Sequence, residues 1–552
     1  MSTKPPSPVE GIKERSRYLR GTVTESLVNG VTGAIAEDDT RTVKFHGIYQ
    51  QDDRDLRAER TAQKLEPAYN FMIRIRIPGG ALTPAQWRAV DALAGKYSSG
   101  TMRLTSRQSI QLHGVLKRDL KETMQGINAA LLTTIAACGD VNRTVAVTSL
   151  PEQSRLHKAV FELAGRTNKH LLPATRAYHE VWLDGEKTEI PAGEQEPLYG
   201  ARYLPRKFKV GFAVPPSNDI DIYAQDLAFI AIAGADGALA GLNVAVGGGM
   251  GATHGDPRTY PRLATPIGFC TPEQVTAVAE HVVAVQRDFG DRSVRSHARL
   301  KYTIDDRGVD WFKGELERRL GFALEPARPV RFTSTGDRFG WTQGEDGADH
   351  LTLFLPSGRI SDTAERRVRS GLYALAQIHD GELRITPNQN LILANVAPHT
   401  RTAIEQTVEE FGLDLYARAK PFRLNAMACV AFPTCGLAMA ESERYLPTLL
   451  DKVEPLLERH GLENDDILLR MTGCPNGCSR PYVAEIALVG KAPGRYNLFL
   501  GGGRTGERLN ELHAQNLGEA EILEVLDGLF AAYARLREPG EPFGDFVRRH
   551  RG

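Results

Sequence analysis

The sequence holds 552 residues, with 68 Lys and Arg against 68 Asp and Glu, so its formal net charge at neutral pH is zero. That balance excludes a global field that would gather nucleic acid or an anionic membrane, and any cationic chemistry has to be local. A hydrophobic content of 41%, without an apolar run of the roughly eighteen residues needed to cross a bilayer, fits an ordinary globular protein.

The length is too great for one core and predicts several domains of roughly 100 to 200 residues each. The polar, proline-containing stretch Met1 to Arg20 lacks the apolar centre of a signal peptide. Six cysteines, four of them clustered, argue against a secreted disulfide scaffold and for a reducing, cytoplasmic setting.

In chain order, residues 1–65 are rich in charge and turn formers and predict a mobile arm, ending in His46-Gly47-Ile48-Tyr49-Gln50-Gln51-Asp52-Asp53-Arg54-Asp55. Met72 to Ile77 alternates strictly, which predicts a strand with Ile73, Ile75 and Ile77 on one face and Arg74 and Arg76 on the other. Thr83 to Tyr97 has helical apolar spacing, with Thr83 and Gln86 as a capping box. Met102 to Val115 reads as a strand or hairpin. Met102, Leu104, Ile110 and Leu112 form its apolar side, and Arg103, Thr105, Arg107, Ser109, Gln111 and His113 form a ribbon of cations and donors. Arg206 to Val210 repeats this with Lys207 and Lys209 on one side. Asn142-Arg143 precedes a β-branched run, Thr144 to Thr148.

A repeat follows. Leu351 to Arg359, a helical stretch over 366–378, and Leu383 to Leu393 reproduce the strand, helix, strand order, with offsets of 278 from Pro78 to Pro356 and 281 from Arg103 to Arg384. Arg107, Gln111 and His113 become Asn388, Ile392 and Ala394, so the first copy keeps more of the polar ribbon. Two copies that each expose a sheet face are expected to pack together or share a ligand. The implied units are an arm (1–65), a first strand–helix–strand half (66–145), a longer α/β segment (146–325), the second half (326–414) and a second α/β segment (415–552), an α+β chain. Gly247-Gly248-Gly249-Met250-Gly251 permits close approach of a flat ligand. Gly501-Gly502-Gly503-Arg504-Thr505-Gly506 matches a dinucleotide fingerprint in form, but only 46 residues follow it, too few for that fold.

Cys429 and Cys435 are separated by five residues, Cys474 and Cys478 by three. Four soft thiolates on two loops suit an iron–sulfur cluster or a tetrahedral zinc, and the wider arm favours the cluster. Pro433, Pro475 and Gly477 bend the backbone so that each pair can face one centre. Cys138 and Cys270 fall outside this pattern, and burial is expected for both.

These pairs, with Thr472 to Arg480 running on through Ala484 to Asn497, resemble the sirohaem and 4Fe-4S site of the sulfite and nitrite reductase family. The tandem halves, Arg103 to Gly114, Asn142-Arg143 and Leu204 to Lys209 share the resemblance, which covers nearly the whole chain. The arm sequence and the length are most similar to its NADPH-linked assimilatory branch. The resemblance implies two ferredoxin-like half-domains in a pseudo-twofold unit with two larger, related α/β domains. It implies reduction of sulfite to sulfide by six electrons, as in sulfate assimilation and cysteine biosynthesis.

By the same resemblance Cys429, Cys435, Cys474 and Cys478 hold the cluster, and Cys478 is also axial to the sirohaem iron. Arg74, Arg143, Lys207 and Lys209 are the implied substrate cations, the lysines as proton donors. Arg103, Arg107, Gln111, His113, Lys301, Gln389 and Asn476 are the implied sirohaem contacts. Without a flavin or nicotinamide motif here, electrons are expected from a flavoprotein subunit docking on the arm, with ferredoxin as the alternative donor. Nitrite reduction is the nearest rival reading, and a regulator using the four thiolates for structural zinc or a sensing cluster is the rival of another class.

Overall fold

Two five-stranded sheets are built from the repeat, and each borrows an edge strand from the other. The fold comes from a computed structural model that describes residues 5–175, 177, 181–183, 186–188 and 196–551; residues 1–4 of the arm lie outside them. In chain order the strands are β1 (Ile48–Asp52), β2 (Tyr69–Ile75), β3 (Ala81–Leu82), β4 (Met102–Leu104), β5 (Ile110–Val115), β6 (Ala146–Val147), β7 (Val181–Leu183), β8 (Glu186–Thr188), β9 (Val210–Ala213), β10 (Leu227–Ala233) and β11 (Leu239–Val246). They continue as β12 (Thr265–Cys270), β13 (Gly340–Gln343), β14 (Asp349–Leu353), β15 (Arg359–Ile360), β16 (Glu382–Ile385), β17 (Leu391–Val396), β18 (Met427–Ala428), β19 (Leu469–Thr472), β20 (Ile486–Ala492), β21 (Arg495–Leu500) and β22 (Glu511–Leu517).

The first sheet runs β1-β2-β5-β4-β15 and the second β13-β14-β17-β16-β3. β3 leaves the first half to pair with β16, and β15 leaves the second half to pair with β4. The same local geometry drives both exchanges. Gly80 and Gly358 take φ of +75° and +71°, and a Cβ on either would stand 2.4 Å from Ile385 O or 2.5 Å from Leu104 O, so only glycine lets the partner strand come this close. Helices Pro84–Tyr97 and Val368–Ile378 cover the apolar faces, the first started by the expected Thr83/Gln86 capping box. Ile73, Leu112 and Trp87 from one half and Leu383, Leu393 and Leu372 from the other, all fully buried, lie in one core. Burial of each such side chain contributes roughly 1.5–3 kcal/mol, so neither half is expected to be stable without the other.

The remaining two sheets repeat each other in topology. In β12-β11-β10-β9-β6 and β22-β21-β20-β19-β18, three strands run parallel and two antiparallel ones complete the sheet. Helices Arg155–His170 and Val275–Phe289 pack on the first, and Leu446–Arg459 and Glu519–Leu536 on the second.

The arm corrects the expectation of a mobile tail. Its short helices Pro8–Arg15, Val23–Val28 and Glu37–Thr42 lead into β1, which forms the edge of the first sheet, with Ile48 opposite Ile73 and Tyr49 opposite Met72. Composition misleads here because the charges are paired inside. Buried Lys13 lies 2.5 Å from Glu10 and 3.6 Å from Asp140, and donates to Leu204 O at 2.7 Å. The Gly501–Gly506 turn is a packing turn. The amides that would hold a pyrophosphate are taken, Gly501 N by Glu485 O, Gly503 N by Arg508 O and Gly506 N by Gly503 O.

Candidate active site

Strand register turns the polar ribbon into a row. Arg74 on β2 lies opposite Gln111 on β5, Gln111 opposite Arg103 on β4, and Arg103 opposite Arg359 on β15. The neighbouring row, Ile73, Leu112, Met102 and Ile360, points the other way into the core. His113, two residues beyond Gln111 on the same face, is 2% exposed, and neither ring nitrogen has a partner. Burial first, then Arg359, Arg103 and Arg74, pushes its pKa well below the ordinary imidazole value, so it is neutral and offers one N–H. Arg359 was not among the expected site residues, because only the exchanged edge strand brings it to this row.

The cysteines reach the same face through the last sheet. β18 and β19 are parallel, Ala428 opposite Met471, so the loops that follow them emerge at one end, carrying Cys429 and Cys435 on one side and Cys474 and Cys478 on the other. The Cys429 sulfur accepts the Gly473 N–H at 3.2 Å, and Asn476 Nδ2 lies 3.5 Å from the Cys474 sulfur. Burial, followed by the nearby Cys478, raises Cys435 to about 11 and Cys474 to about 12, so these thiols become thiolates only when a metal takes the proton's place. Among the described residues no three His, Cys, Asp or Glu side chains group tightly enough for one metal ion. Cys429, Cys435 and Cys474 each lie near enough to Cys478 for its charge to raise their pKa.

Opposite stand the cations that follow β6 and precede β9. Neither the Lys207 nor the Lys209 ammonium has a hydrogen-bond partner among the described residues. Burial first, then Arg299, Arg143 and Arg206, lowers Lys207 to about 7, while Cys478 pulls the other way. Lys209 is pushed well down by burial and by Lys207. Arg299 is closed off by Asp226, both contacts from its Nη2 being 2.8 Å. The Nε atoms of Arg74 and Arg143 are buried without a partner.

The comparisons agree with this geometry. Residues 162–324 match the nitrite and sulphite reductase 4Fe-4S domain, and residues 63–130 and 342–411 match the nitrite/sulfite reductase ferredoxin-like half domain. The chain is 58% identical to the sulfite reductase [NADPH] hemoprotein beta-component of Oceanobacillus iheyensis, covering 98% of this chain and 94% of that one. It is 59% identical to the protein of the same name in Myxococcus xanthus, covering 99% and 97%. The chain belongs to the nitrite and sulphite reductase family. Its fold is that of the Mycobacterium tuberculosis NirA structure, with a TM-score of 0.78 at 24% identity over 99% of this chain and 97% of that one. As a member of this family the chain is an oxidoreductase with an iron–sulfur cluster. The segment that matches the 4Fe-4S domain holds none of the four clustered cysteines, which lie in its structural repeat beyond residue 415.

Unpartnered buried donors fit a polyanionic group between the two walls: the one N–H of neutral His113 and the Nε atoms of Arg74 and Arg143. Gln389 is a position at which the two copies of the repeat differ in partners. Its counterpart Gln108 shares the left-handed backbone, φ +52° against +70°, but gives its amide to Gly79 O, Val147 O, Ser149 Oγ and Ile385 O, whereas Gln389 Oε1 has no partner.

Several expected macrocycle contacts also have protein partners, Gln111 among them, its Nε2 lying 3.5 Å from the Met72 sulfur. Arg107 bonds Gln225 Oε1 at 2.7 Å, Val210 O at 3.0 Å and Thr144 O, tying the hairpin to β9. Lys301 holds the glycine loop through Gly251 O at 2.7 Å, Gly249 O at 3.2 Å and Tyr260 O. Arg103 bonds Glu443 and Ala428 O, and the Asn476 amide faces the Cys474 sulfur. The resemblance implied ligand contact, and a buried polar side chain also needs partners from the protein, which sequence alone does not specify. Glu443, Asp226 and Tyr49 were missed for the same reason.

Proposed function

We propose that this chain is the catalytic haemoprotein that reduces sulfite to sulfide by six electrons, with a sirohaem and a 4Fe-4S cluster held on either side of Cys478. The observation that carries the reading is the pairing of two cysteine loops with a facing wall of cations, of which the Lys207 and Lys209 ammoniums have no hydrogen-bond partner among the described residues and the Arg74 and Arg143 Nε atoms are unpartnered. Cys429, Cys435, Cys474 and Cys478 would hold the cluster, and Cys478 would also serve the sirohaem iron. When bound, the sirohaem would supply the redox chemistry that delivers electrons to the substrate.

The chain's own residues do the rest. Arg74 and Arg143 neutralise the oxyanion with planar donor pairs, and Lys207 and Lys209 hold protons where oxygen leaves as water. Lys207, lowered to about 7, can give a proton near neutral pH and regain it from water. His113, Gln111 and Gln389 face the macrocycle's carboxylates. Arg107, Arg103, Lys301 and Asn476 hold this wall, and any direct contact to the macrocycle is additional.

The relatives named above are NADPH-linked beta-components, which favours a flavoprotein subunit as the electron donor over ferredoxin. We take the arm, 1–65, as its dock, because Val28 and Val31 stand 79% and 94% exposed there. The other units are the halves 66–145 and 326–414 and the α/β domains 146–325 and 415–552, and the setting is cytoplasmic. One absorption spectrum with iron and acid-labile sulfide analysis tests the cofactors. A colourless zinc protein, or cluster iron without a tetrapyrrole, would end the reading. Comparing kcat/KM for sulfite and nitrite decides between the two anions.

A further inference from the structure

We infer that Asp221 and Arg480 are positioning residues for Cys478, and that the ion pair between them fixes the direction of this sulfur relative to the polar row of the first hairpin. The inference rests on the reading of Cys478 as the sulfur that would serve both groups.

The pair sits on the seam between the two α/β units. Val210 lies opposite Leu227 in one sheet and Leu469 opposite Ile486 in the other, and one step of 259 residues relates the two pairings. The same step relates Asp221 to Arg480. Each precedes a short 3-10 turn, Ile222–Ala224 or Pro481–Val483, and each has a left-handed backbone, φ +48° and +56°, that residues with a Cβ rarely adopt. Equivalent positions of the two units therefore touch, an anion from one copy and a cation from the other, with Arg480 Nε on Asp221 Oδ2 and both side chains buried.

Arg470 on β19 brings a second guanidinium to the same carboxylate, Nη1 at 2.6 Å and Nη2 at 3.3 Å, and holds Arg480 O at 3.1 Å. With its Nε on Asp221, Arg480 spreads its other nitrogens over both halves of the repeat. Nη1 donates to Ser106 O at 3.4 Å, and Nη2 to Pro387 O at 3.2 Å and Asn388 Oδ1 at 3.4 Å. Ser106 and Pro387 stand three residues after Arg103 and Arg384, so one planar fork grips the same turn in each copy.

Cys478 is what this arrangement holds. It is the exposed member of the four clustered cysteines and is fixed through its backbone. Ser106 Oγ donates to Cys478 O at 3.4 Å, and Ser479 Oγ to Met471 O at 2.6 Å. The Cys429 and Cys474 sulfurs, by contrast, take hydrogen bonds from Gly473 and Asn476. Ser106 thus closes a ring of contacts with Cys478 and Arg480, and it lies in the turn between Arg103 on β4 and Gln111 and His113 on β5. A shift of Arg480 moves the cysteine backbone against that row.

The test compares Asp221→Asn, Arg480→Lys and Ser106→Ala with the parent, each purified with its cofactors, by visible absorption, acid-labile sulfide per chain and kinetics with a reduced viologen dye. At parent-like acid-labile sulfide, Asp221→Asn and Arg480→Lys are expected to shift the sirohaem bands and to lower kcat per sirohaem roughly tenfold, as for residues that orient a metal ligand. KM for sulfite stays as it was, because Arg74, Arg143, Lys207 and Lys209 are untouched. Ser106→Ala loses one hydroxyl, shifts the bands the same way by less, and carries the test if the buried-charge variants do not load. Parent-like bands and kcat per sirohaem in the variants that load overturn the inference alone, whatever happens to stability. A Cys478→Ser enzyme with parent-like sirohaem bands and sulfide production overturns the underlying reading as well.

Discussion

Arg103, on the first hairpin, brings its Nε to 2.5 Å from one carboxylate oxygen of Glu443, and the Glu443 backbone N–H donates to Cys429 O at 3.1 Å. Arg359 from the exchanged strand lies 2.5 Å from the other oxygen. One carboxylate thus ties both halves of the repeat to a cysteine loop. Burial pushes its pKa up, and Arg103 and Arg359 outweigh this and hold it below the ordinary value. Glu443→Gln leaves two guanidiniums without their counter-ion and is expected to cost about 3–5 kcal/mol, read by denaturant unfolding. Acid-labile sulfide per chain falls with it. A variant as stable and as fully loaded as the parent would show that the carboxylate is dispensable.

His46 gives the arm a pH dependence. Buried, with its Nε2 on Leu19 O at 2.6 Å, it has a folded pKa lowered to about 4 by burial. The unfolded chain takes up a proton near pH 6.5 while the native one does not, so His46 costs nothing above that value. As pH falls from about 6.5 to 4, stability is lost, up to about 3 kcal/mol. Unfolding curves for the parent and His46→Gln should differ in slope across this window and run parallel above it.

Gly47 has φ +79°, and a Cβ there would lie 2.7 Å from Arg74 O and 2.8 Å from Thr134 O. Both obstacles are backbone, so Gly47→Ala is expected to destabilise by about 2–4 kcal/mol and to raise KM for sulfite by shifting Arg74. Unchanged kinetics would mean that β1 can move without its neighbour.

Removing the whole arm is a poor test of docking, because it deletes β1, Tyr49 and Lys13 together. Val28→Asp and Val31→Asp alter exposed positions instead. The NADPH-driven rate with the flavoprotein should fall roughly tenfold or more while the dye-driven rate stays as it was. Equal rates in both assays would move the dock elsewhere.

Lys207→Met and Lys209→Met keep the length of the side chain and lose the proton. Turnover is expected to fall roughly a hundredfold with both cofactors bound, by absorption. Loss of the sirohaem bands would recast these lysines as anchors. Cys478→Ser should abolish sulfide production.

Much of this protein could be read from residue order, because the signals are local. Alternation at Met72–Ile77, the Thr83 cap, the repeat and the two cysteine pairs each depend on neighbours within a few positions, and period and spacing survive in one dimension. The polar face of Arg74, Arg103, Gln111 and His113 was legible for that reason. The rest depends on contacts across hundreds of positions. The exchange of β3 and β15 adds Arg359 to the row, charge pairing buries an arm whose composition looked solvated, and Glu443 and Asp226 choose which cations stay free. A buried charge takes the acceptor that packing brings to it, and packing is a property of the folded chain.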